Sequence, residues 1–265
     1  MKKFLALALA AMLALCAFAG CSGEDAEVVL TTNGSTSMEK LMETYMDVYT
    51  DATITYAATG SGAGITAVTE GNADIGLASR DLKDSEVEAG LTGYVVAIDG
   101  IAIVVNPANP VSDLSIEQIA KIYTKEITNW SELGGEDATI VVVGREAGSG
   151  TRDGFESVTG TAEACSYDME LNSTGDVRTT VAGNTAAIGY ISLSSVSEEV
   201  SAVSVEGVLP SEETVQDGSY AVQRNFVMAV KTDSVSDEAM AFINWALSSA
   251  ADEYVREAGC VPIVH

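Results

Sequence analysis

The chain of 265 residues contains 39 acidic and 13 basic residues, which gives a formal net charge of −26 at pH 7. A surface this acidic argues against nucleic acid and anionic lipid surfaces as partners. The sole histidine is the last residue, His265, and there is no Cys-x-x-Cys pair, so the composition argues against a zinc site of the Cys/His type. The length allows one large domain or two moderate ones.

The first 26 residues have the pattern of a secretion and anchoring segment. Met1-Lys2-Lys3 precedes an uncharged, mostly apolar run over residues 4–19, which is typical of a signal peptide and shorter than the roughly 20 residues that a spanning helix needs. Phe18-Ala19-Gly20-Cys21 is similar to a bacterial lipoprotein cleavage box, with Phe18 in place of the usual leucine. We predict a signal peptide at 1–20, lipidation of Cys21 and an acidic tether at 21–26. An ordinary signal peptide with an incidental Cys21 is the alternative.

Three predicted strands in the first half each end in a loop rich in hydroxyl groups or arginine. Residues 28–32 lead through Asn33-Gly34-Ser35-Thr36-Ser37 to a helix over 38–49 with apolar residues at helical spacing. Residues 53–58 lead through 59–64 to a helix over 65–70, and residues 73–78 end in Ser79-Arg80-Asp81. This alternation predicts an α/β sheet that is mostly parallel, in which ligands bind at the carboxyl ends of the strands.

The apolar stretch over 94–105 is longer than an average strand, and we predict two strands that divide near Asp99-Gly100. Residues 115–123 are predicted to form a helix capped by Ser115, and Trp130 is expected to hold a loop on the core. Later elements are predicted as strands over 186–193 and 203–205, an extended segment over 220–231, and helices over 237–247 and 251–258.

Two cysteines, Cys165 and Cys260, lie in the predicted exported domain. Export permits a disulfide between them. Because a disulfide requires the two residues to be close in space, a disulfide and two free thiols are both open from the sequence.

The loop after a predicted strand at 140–143 combines the groups that bind an oxyanion. Glycines allow backbone amides to approach a ligand, while hydroxyls and guanidinium groups add directed donors. If Ser149 or Thr151 caps a helix over 152–158, the free amides and the positive end of the helix dipole point at the same place. Arg145 is interpreted as part of this site, whereas Arg152 is interpreted as a surface ion-pair partner of Asp153.

Six local patterns occur in order along the chain. They are Asn33-Gly34-Ser35-Thr36-Ser37, Thr59-Gly60-Ser61-Gly62-Ala63-Gly64, Ala73-Asp74-Ile75-Gly76-Leu77-Ala78-Ser79-Arg80, Ile127-Thr128-Asn129-Trp130-Ser131-Glu132-Leu133-Gly134-Gly135, the loop over 144–151, and Ala187-Ile188-Gly189-Tyr190. Each is weak alone, but together they resemble the phosphate-binding proteins of phosphate ABC transporters, in their Gram-positive lipoprotein form. The resemblance covers residues 27–265.

The resemblance implies an α/β, two-lobed periplasmic-binding-protein type II fold. Each lobe would be a mixed sheet flanked by helices, with crossing hinge strands near 101–106 and 221–227. Lobe I would comprise residues 27–103 plus 226–265, and lobe II residues 104–225.

The resemblance also implies the residues that bind phosphate. They are Ser35, Thr36, Ser61, Gly62, Ser79 and Arg80 from lobe I, and Arg145, Ser149, Gly150 and Thr151 from lobe II. In family members with an aspartate directly after the serine of the third loop, that aspartate accepts a proton from phosphate. Here Arg80 stands at that position and Asp81 follows, so either Asp81 takes the role or Arg80 replaces it with a positive donor. Discrimination against sulfate depends on which of the two applies.

The predicted function is therefore that of a receptor and not an enzyme. It would bind inorganic phosphate and deliver it to an ABC permease, as a monomer anchored by lipid to the outer face of the membrane, with no metal or organic cofactor. A hydrolase is disfavoured because there is no G-x-S-x-G elbow and no internal histidine, and a nucleotide enzyme because there is no Gly-Lys-Ser/Thr. The alternatives are a receptor for sulfate, molybdate or tungstate, and a signalling lipoprotein with the same fold.

Overall fold

A computed structural model describes residues 27–265, so the predicted signal peptide, Cys21 and the tether at 21–26 lie outside the described residues. The strands are β1 (Val29–Gly34), β2 (Thr53–Ala58), β3 (Ile75–Ala78), β4 (Leu91–Val105), β5 (Asp113–Leu114), β6 (Val141–Arg145), β7 (Met169–Leu171), β8 (Ala187–Ser192), β9 (Ser201–Ala202), β10 (Ser204–Val205) and β11 (Gln223–Lys231). The helices are α1 (Glu39–Val48), α2 (Ser61–Thr69), α3 (Asp84–Glu88), α4 (Ile116–Tyr123), α5 (Gly150–Thr159), α6 (Thr174–Ala182), α7 (Glu212–Gln216), α8 (Asp237–Ala246) and α9 (Asp252–Glu257). Short 3₁₀ turns cover Thr36–Met38, Trp130–Leu133, Leu193–Ser195 and Ser249–Ala251.

Nine strands form a continuous mixed sheet in the order β2-β1-β3-β11-β4-β8-β6-β7, with β9 also paired to β4, and β5 and β10 form a separate two-stranded sheet. Strand β1 is parallel to β2 and β3, and strand β6 is parallel to β7 and β8. Strand β11 is antiparallel to β3 and β4, and β4 is antiparallel to β8. The prediction of a mostly parallel sheet is therefore wrong for the sheet as a whole: parallel units lie at its two ends, and the long strands β4 and β11 join them in the antiparallel sense.

Strand β4 runs unbroken for 15 residues, so the predicted division into two strands near Asp99-Gly100 is wrong. Its first part pairs with β11 as far as Gly100, and its last five residues pair with β8. The Asp99 carboxylate is buried and accepts from Arg224 of β11, with an Nη2–Oδ2 distance of 2.9 Å. Because this guanidinium compensates the buried charge, aspartate fits inside the strand and no turn is needed. The change of partner strand marks the crossing between the two halves.

Each half of the sheet has its own principal core. In the first half, Tyr45 of α1 and Tyr49, which directly follows this helix, pack against Phe242 and Trp245 of α8, with ring centroids 4.9 to 6.0 Å apart. The buried members of this core come from residues 30–97 and 226–260. In the second half, Phe155 stacks on Tyr190 at 4.2 Å, in a core drawn from residues 101–222 together with Val261. Aromatic contacts of this kind stabilise each half separately.

Helix starts differ from the sequence prediction at two loops. Helix α2 begins at Ser61 rather than at 65, and α5 begins at Gly150 rather than at 152. Gly60 precedes α2 with φ of 98°, a conformation that glycine adopts without strain. Both helices therefore place their first residues at the ends of the preceding loops, where their amides have no intrahelical acceptor.

Several other predictions are confirmed. The Ser115 hydroxyl accepts from the Gln118 amide at 3.1 Å and caps α4. The Trp130 side chain is buried, and its Nε1–H donates to the Ala186 carbonyl at 2.8 Å, which holds its loop on the core.

Cys165 and Cys260 are free thiols and belong to different cores, so the disulfide alternative is wrong. Within residues 27–265, none of the helices has both the length and the apolar character required to cross a membrane. The same residues hold no group of three or more His, Cys, Asp or Glu side chains placed to bind a metal ion.

Candidate functional site

The loops predicted to bind an anion meet at the interface between the two halves. Because β1, β2 and β3 are parallel, their carboxyl ends lie at one edge of the sheet. These ends carry the Ser35–Ser37 loop, the start of α2 and Ser79. From the other half, β6 leads to Arg145 and the start of α5, and β7 leads to the start of α6.

Four hydroxyl groups form direct contacts across this interface, and we call them the hydroxyl cluster: Thr36, Ser37, Thr151 and Thr174. The Ser37 Oγ lies 2.8 Å from Thr151 Oγ1 and 3.0 Å from Thr174 Oγ1. The Thr36 Oγ1 lies 3.2 Å from Thr174 Oγ1. All four residues are buried. A hydroxyl can donate and accept, so the cluster can redirect its protons towards an anion.

A second contact joins the start of α2 to the start of α5. The Ser61 and Ser79 hydroxyl oxygens are 3.2 Å apart, and the Ser79 amide donates to Ser61 Oγ at 3.1 Å. A Cβ added to Gly150 would lie 2.5 Å from Ser61 Oγ and 2.7 Å from Ser79 Oγ, so only glycine allows this approach. The Gly62 amide donates to the Gly148 carbonyl at 3.0 Å. In this conformation that amide is therefore engaged across the interface.

Helix α5 presents the residues predicted for the oxyanion-binding loop. The Ser149 hydroxyl accepts from the Arg152 amide at 3.4 Å, which makes Ser149 the N-cap and resolves the choice between Ser149 and Thr151. The amides of Gly150 and Thr151 follow at the first helical positions, where the helix dipole favours negative charge.

Arg145 ends β6 and is 1% exposed. Its Nε and Nη2 donate to Glu146 at 3.0 and 2.9 Å, and the same two nitrogens donate to the carbonyls of Leu171 and Asn172. Its Nη1 points elsewhere and lies 3.4 Å from Thr174 Oγ1. The guanidinium is thus fixed along one edge and presents the remaining nitrogen to the hydroxyl cluster.

The Ser35 side chain serves the local turn. Its Oγ accepts from the Ser37 amide at 3.3 Å, and its own amide donates to the Leu77 carbonyl at 2.9 Å. Ser35 is therefore brought to the site but is engaged by neighbouring backbone, whereas Thr36 contacts the opposite half directly.

The Arg80 guanidinium is directed at acidic groups. It donates to both oxygens of Glu86 at 2.7 and 2.8 Å and to the Asp81 carbonyl at 2.8 Å, and its Nε lies 2.9 Å from Asp153 Oδ2. Burial on its own would lower the pKa of Arg80, but the hydrogen bonds and charges of Glu86 and Asp153 raise it overall. Within residues 27–265, Arg80 makes no hydrogen bond to the hydroxyl cluster.

The other charged residues near the site also have partners. The Asp81 carboxylate accepts from the Asn225 side chain at 2.8 Å. Arg152 forms ion pairs, as predicted, but with Glu156 and Glu170 and not with Asp153. The identity of the partner differs because Glu156 lies one helical turn beyond Arg152, on the same face of α5.

Sequence reasoning missed Thr174, which contacts both halves. It follows β7, a strand of only three residues that gives no clear periodic pattern. The sequence feature that could have indicated this loop is Ser173, whose hydroxyl accepts from the Asp176 amide and caps α6. A serine before a helix that follows a strand would have indicated another loop of the same kind.

Comparisons with known proteins place this chain in a family. A model of the PBP superfamily domain matches residues 22–250. The phosphate-binding protein PstS of Bacillus subtilis is 34% identical over 83% of this chain and 80% of its own length. The phosphate-binding protein PstS of Borreliella burgdorferi is 27% identical over 99% of both chains.

Solved structures give the same result. A phosphate ABC transporter substrate-binding protein from Clostridium perfringens, crystallised with bound phosphate, is 41% identical, with a TM-score of 0.86 over 89% of this chain and 100% of that one. An ABC-type phosphate transport receptor from Vibrio cholerae is 36% identical, with a TM-score of 0.72 over 88% of this chain and 100% of that one. These similarities confirm the predicted two-lobed fold and the resemblance seen in the motifs. The chain belongs to the PBP superfamily and, within it, to the family of phosphate-binding proteins of ABC transporters.

Proposed function

We propose that this protein is an extracytoplasmic receptor that captures inorganic phosphate between its two lobes and delivers it to an ABC permease. The observation that carries the proposal is the convergence of donors from both halves on one buried point: the hydroxyl cluster, the first amides of α5 and Arg145 Nη1. Phosphate offers several acceptor oxygens and negative charge, which such a set of donors satisfies. The relatives named for phosphate binding support the same ligand.

The proposed binding residues are those expected from the sequence: Ser35, Thr36, Ser61, Gly62, Ser79, Arg80, Arg145, Ser149, Gly150 and Thr151. Among residues 27–265, Arg145 supplies the positive charge directed at the hydroxyl cluster, and apart from Arg80 the other groups are neutral donors. A contact between Arg80 and phosphate stays a prediction, because its guanidinium would first have to leave Glu86 or Asp153.

We propose that binding and release follow a hinge motion of lobe I (27–103 plus 226–265) against lobe II (104–225). The two strands that cross between them meet at Asp99 and Arg224, whose ion pair is buried. Opening would separate the contacts of Ser37 with Thr151 and of Gly62 with Gly148, and it would admit a hydrated anion. Closing would exchange the water around the anion for fixed protein donors.

A receptor for sulfate, molybdate or tungstate is the second candidate, and one observation favours keeping it. The Asp81 carboxylate, which would accept a proton from phosphate, is held by Asn225. With that carboxylate engaged, rejection of a fully deprotonated anion would depend on the hydroxyl oxygens of the site as proton acceptors.

We further propose that Cys21 carries a lipid that holds the protein at the outer face of the membrane as a monomer, without metal, cofactor or nucleic acid. The lipoprotein cleavage box in the sequence supports this part of the proposal. Replacing Cys21 by alanine is expected to release the protein into the medium. Retention on the membrane would contradict the anchor.

Titration calorimetry of the purified protein with phosphate, sulfate, arsenate and molybdate tests the ligand. We expect phosphate and its close analogue arsenate to bind at one site per chain, with sulfate much weaker. Sulfate binding as tight as phosphate would favour the second candidate, and the absence of heat with all four anions would overturn the receptor proposal.

A further inference from the structure

We infer that Thr174, the first residue of α6, is a positioning residue of the anion site that acts on donors of both lobes. This inference rests on the proposed function and extends it to a loop that the family motifs did not include. Thr174 is 3% exposed, although it lies at the start of a helix that follows a short edge strand. Its burial results from contact with lobe I.

Thr174 positions the hydroxyl oxygen of Thr36. The Thr174 amide donates to Thr36 Oγ1 at 3.2 Å. A hydroxyl that accepts at its oxygen keeps its own proton for another acceptor. The Thr174 hydroxyl also lies 3.2 Å from Thr36 Oγ1, and either hydroxyl can donate, so Thr36 can turn its proton towards a bound anion while these two contacts hold its oxygen in place. The Thr174 amide, which has no intrahelical acceptor at the first position of α6, gains a partner.

The Thr174 hydroxyl connects Arg145 to the opposite lobe. Arg145 Nη1 donates towards Thr174 Oγ1 at 3.4 Å, and Ser37 Oγ lies 3.0 Å from the same oxygen. Glu146 and two carbonyls fix the other edge of the planar guanidinium and so set the direction of Nη1, and Thr174 Oγ1 is the side-chain acceptor that lies in this direction. One residue therefore aligns the charged donor of lobe II with the hydroxyl donors of lobe I.

The test compares two substitutions at this position by phosphate titration. Thr174→Val keeps the shape and removes the hydroxyl, and we expect affinity to fall about tenfold or more, the effect of losing a hydrogen bond next to a charged group. Thr174→Ser restores the hydroxyl and is expected to bind within about threefold of the wild type. The loss should appear as faster phosphate release, because these contacts join the lobes after the anion has entered.

Thr161→Val is the matched control, because Thr161 is also 3% exposed and its hydroxyl contacts Thr159 within lobe II. We expect it to leave phosphate affinity unchanged. If Thr174→Val does not fold, as judged by circular dichroism, Thr174→Ala takes its place in the comparison. Wild-type affinity in the variant that lacks the hydroxyl, or a serine variant as weak as the valine variant, would overturn the inference alone. A wild-type protein that binds no tetrahedral oxyanion would overturn the proposed function and the inference together.

Discussion

The Arg80 Nε lies 2.9 Å from Asp153 Oδ2, so an ion pair connects the loop after β3 to helix α5 of the other half. The Lys83 Nζ lies 3.2 Å from the same oxygen, and the Glu86 carboxylate accepts hydrogen bonds from Nη1 and Nη2 of Arg80. Asp153 lies three residues after Gly150, on the helix whose first amides belong to the proposed anion site. When the two halves close, the ion pair between Arg80 and Asp153 therefore helps to hold the first amides of α5 in position.

Replacing Asp153 by asparagine is expected to weaken phosphate binding about two- to fivefold, since a partly exposed ion pair contributes roughly 0.5–1 kcal/mol. The effect should shrink at high salt, which screens the pair in the wild type. Calorimetry at low and high ionic strength measures both. The control is Glu117→Gln, which removes an ion pair with Lys121 that lies within α4. Equal affinities of wild type and Asp153→Asn at low salt would show that this pair does not stabilise closure.

Glu86 gives the protein an acid-sensitive contribution to stability. Burial alone would raise the pKa of Glu86, but hydrogen bonds from Arg80 and the Lys83 amide, with the charge of Arg80, hold it below its usual value. A carboxyl with a lowered pKa in the folded state stabilises that state above its unfolded pKa, and this contribution is lost as pH falls through the folded pKa. Urea unfolding across acidic pH should therefore show a steeper loss for the wild type than for Glu86→Gln. Parallel curves would contradict this assignment.

Replacing Arg145 by alanine is expected to weaken phosphate binding roughly 10- to 100-fold, the cost of removing one hydrogen bond from a charged donor. Arg178→Ala is the control, because Arg178 is paired with Glu199 and the Ser195 carbonyl. Affinity is measured by calorimetry, and circular dichroism shows whether the variant is folded. A folded Arg145→Ala protein with wild-type affinity would remove Arg145 from the site.

Replacing Gly150 by alanine is expected to prevent full closure, because the new Cβ would meet Ser61 Oγ at 2.5 Å and Ser79 Oγ at 2.7 Å. Phosphate affinity should fall about tenfold or more, since overpacking of this kind costs about 1–3 kcal/mol. Gly175→Ala in the first turn of α6 is the control, because its Cβ would meet only Ser173 Oγ, at 3.8 Å. If both variants bind phosphate equally well, the approach of Gly150 to Ser61 is not part of the bound state.

The sequence was sufficient for features that depend on neighbouring residues. Ser115 caps its helix as the local pattern indicated, Ser149 is one of the two residues proposed to cap α5, and the three strand–loop units of the first half are present. The family motifs also predicted the two-lobed fold.

Features fixed by distant partners were not predictable from local patterns. Asp99 was predicted to lie in a turn because no neighbouring residue in the sequence compensates its charge. Its partner, Arg224, is 125 residues away in the chain. The ion pairs of Arg80 with Glu86 and Asp153 were not predicted, because these partners meet Arg80 only in the folded protein. Thr174 was overlooked because its contacts with Thr36 and Ser37 cross between the halves.

A crystal structure of the protein grown with phosphate tests the central claim most directly. We expect one phosphate between the lobes, with oxygens in hydrogen-bond distance of Thr36 and Ser61 from lobe I and of Arg145 and the first amides of α5 from lobe II. Phosphate bound to one lobe only, or bound away from Arg145, would contradict the account.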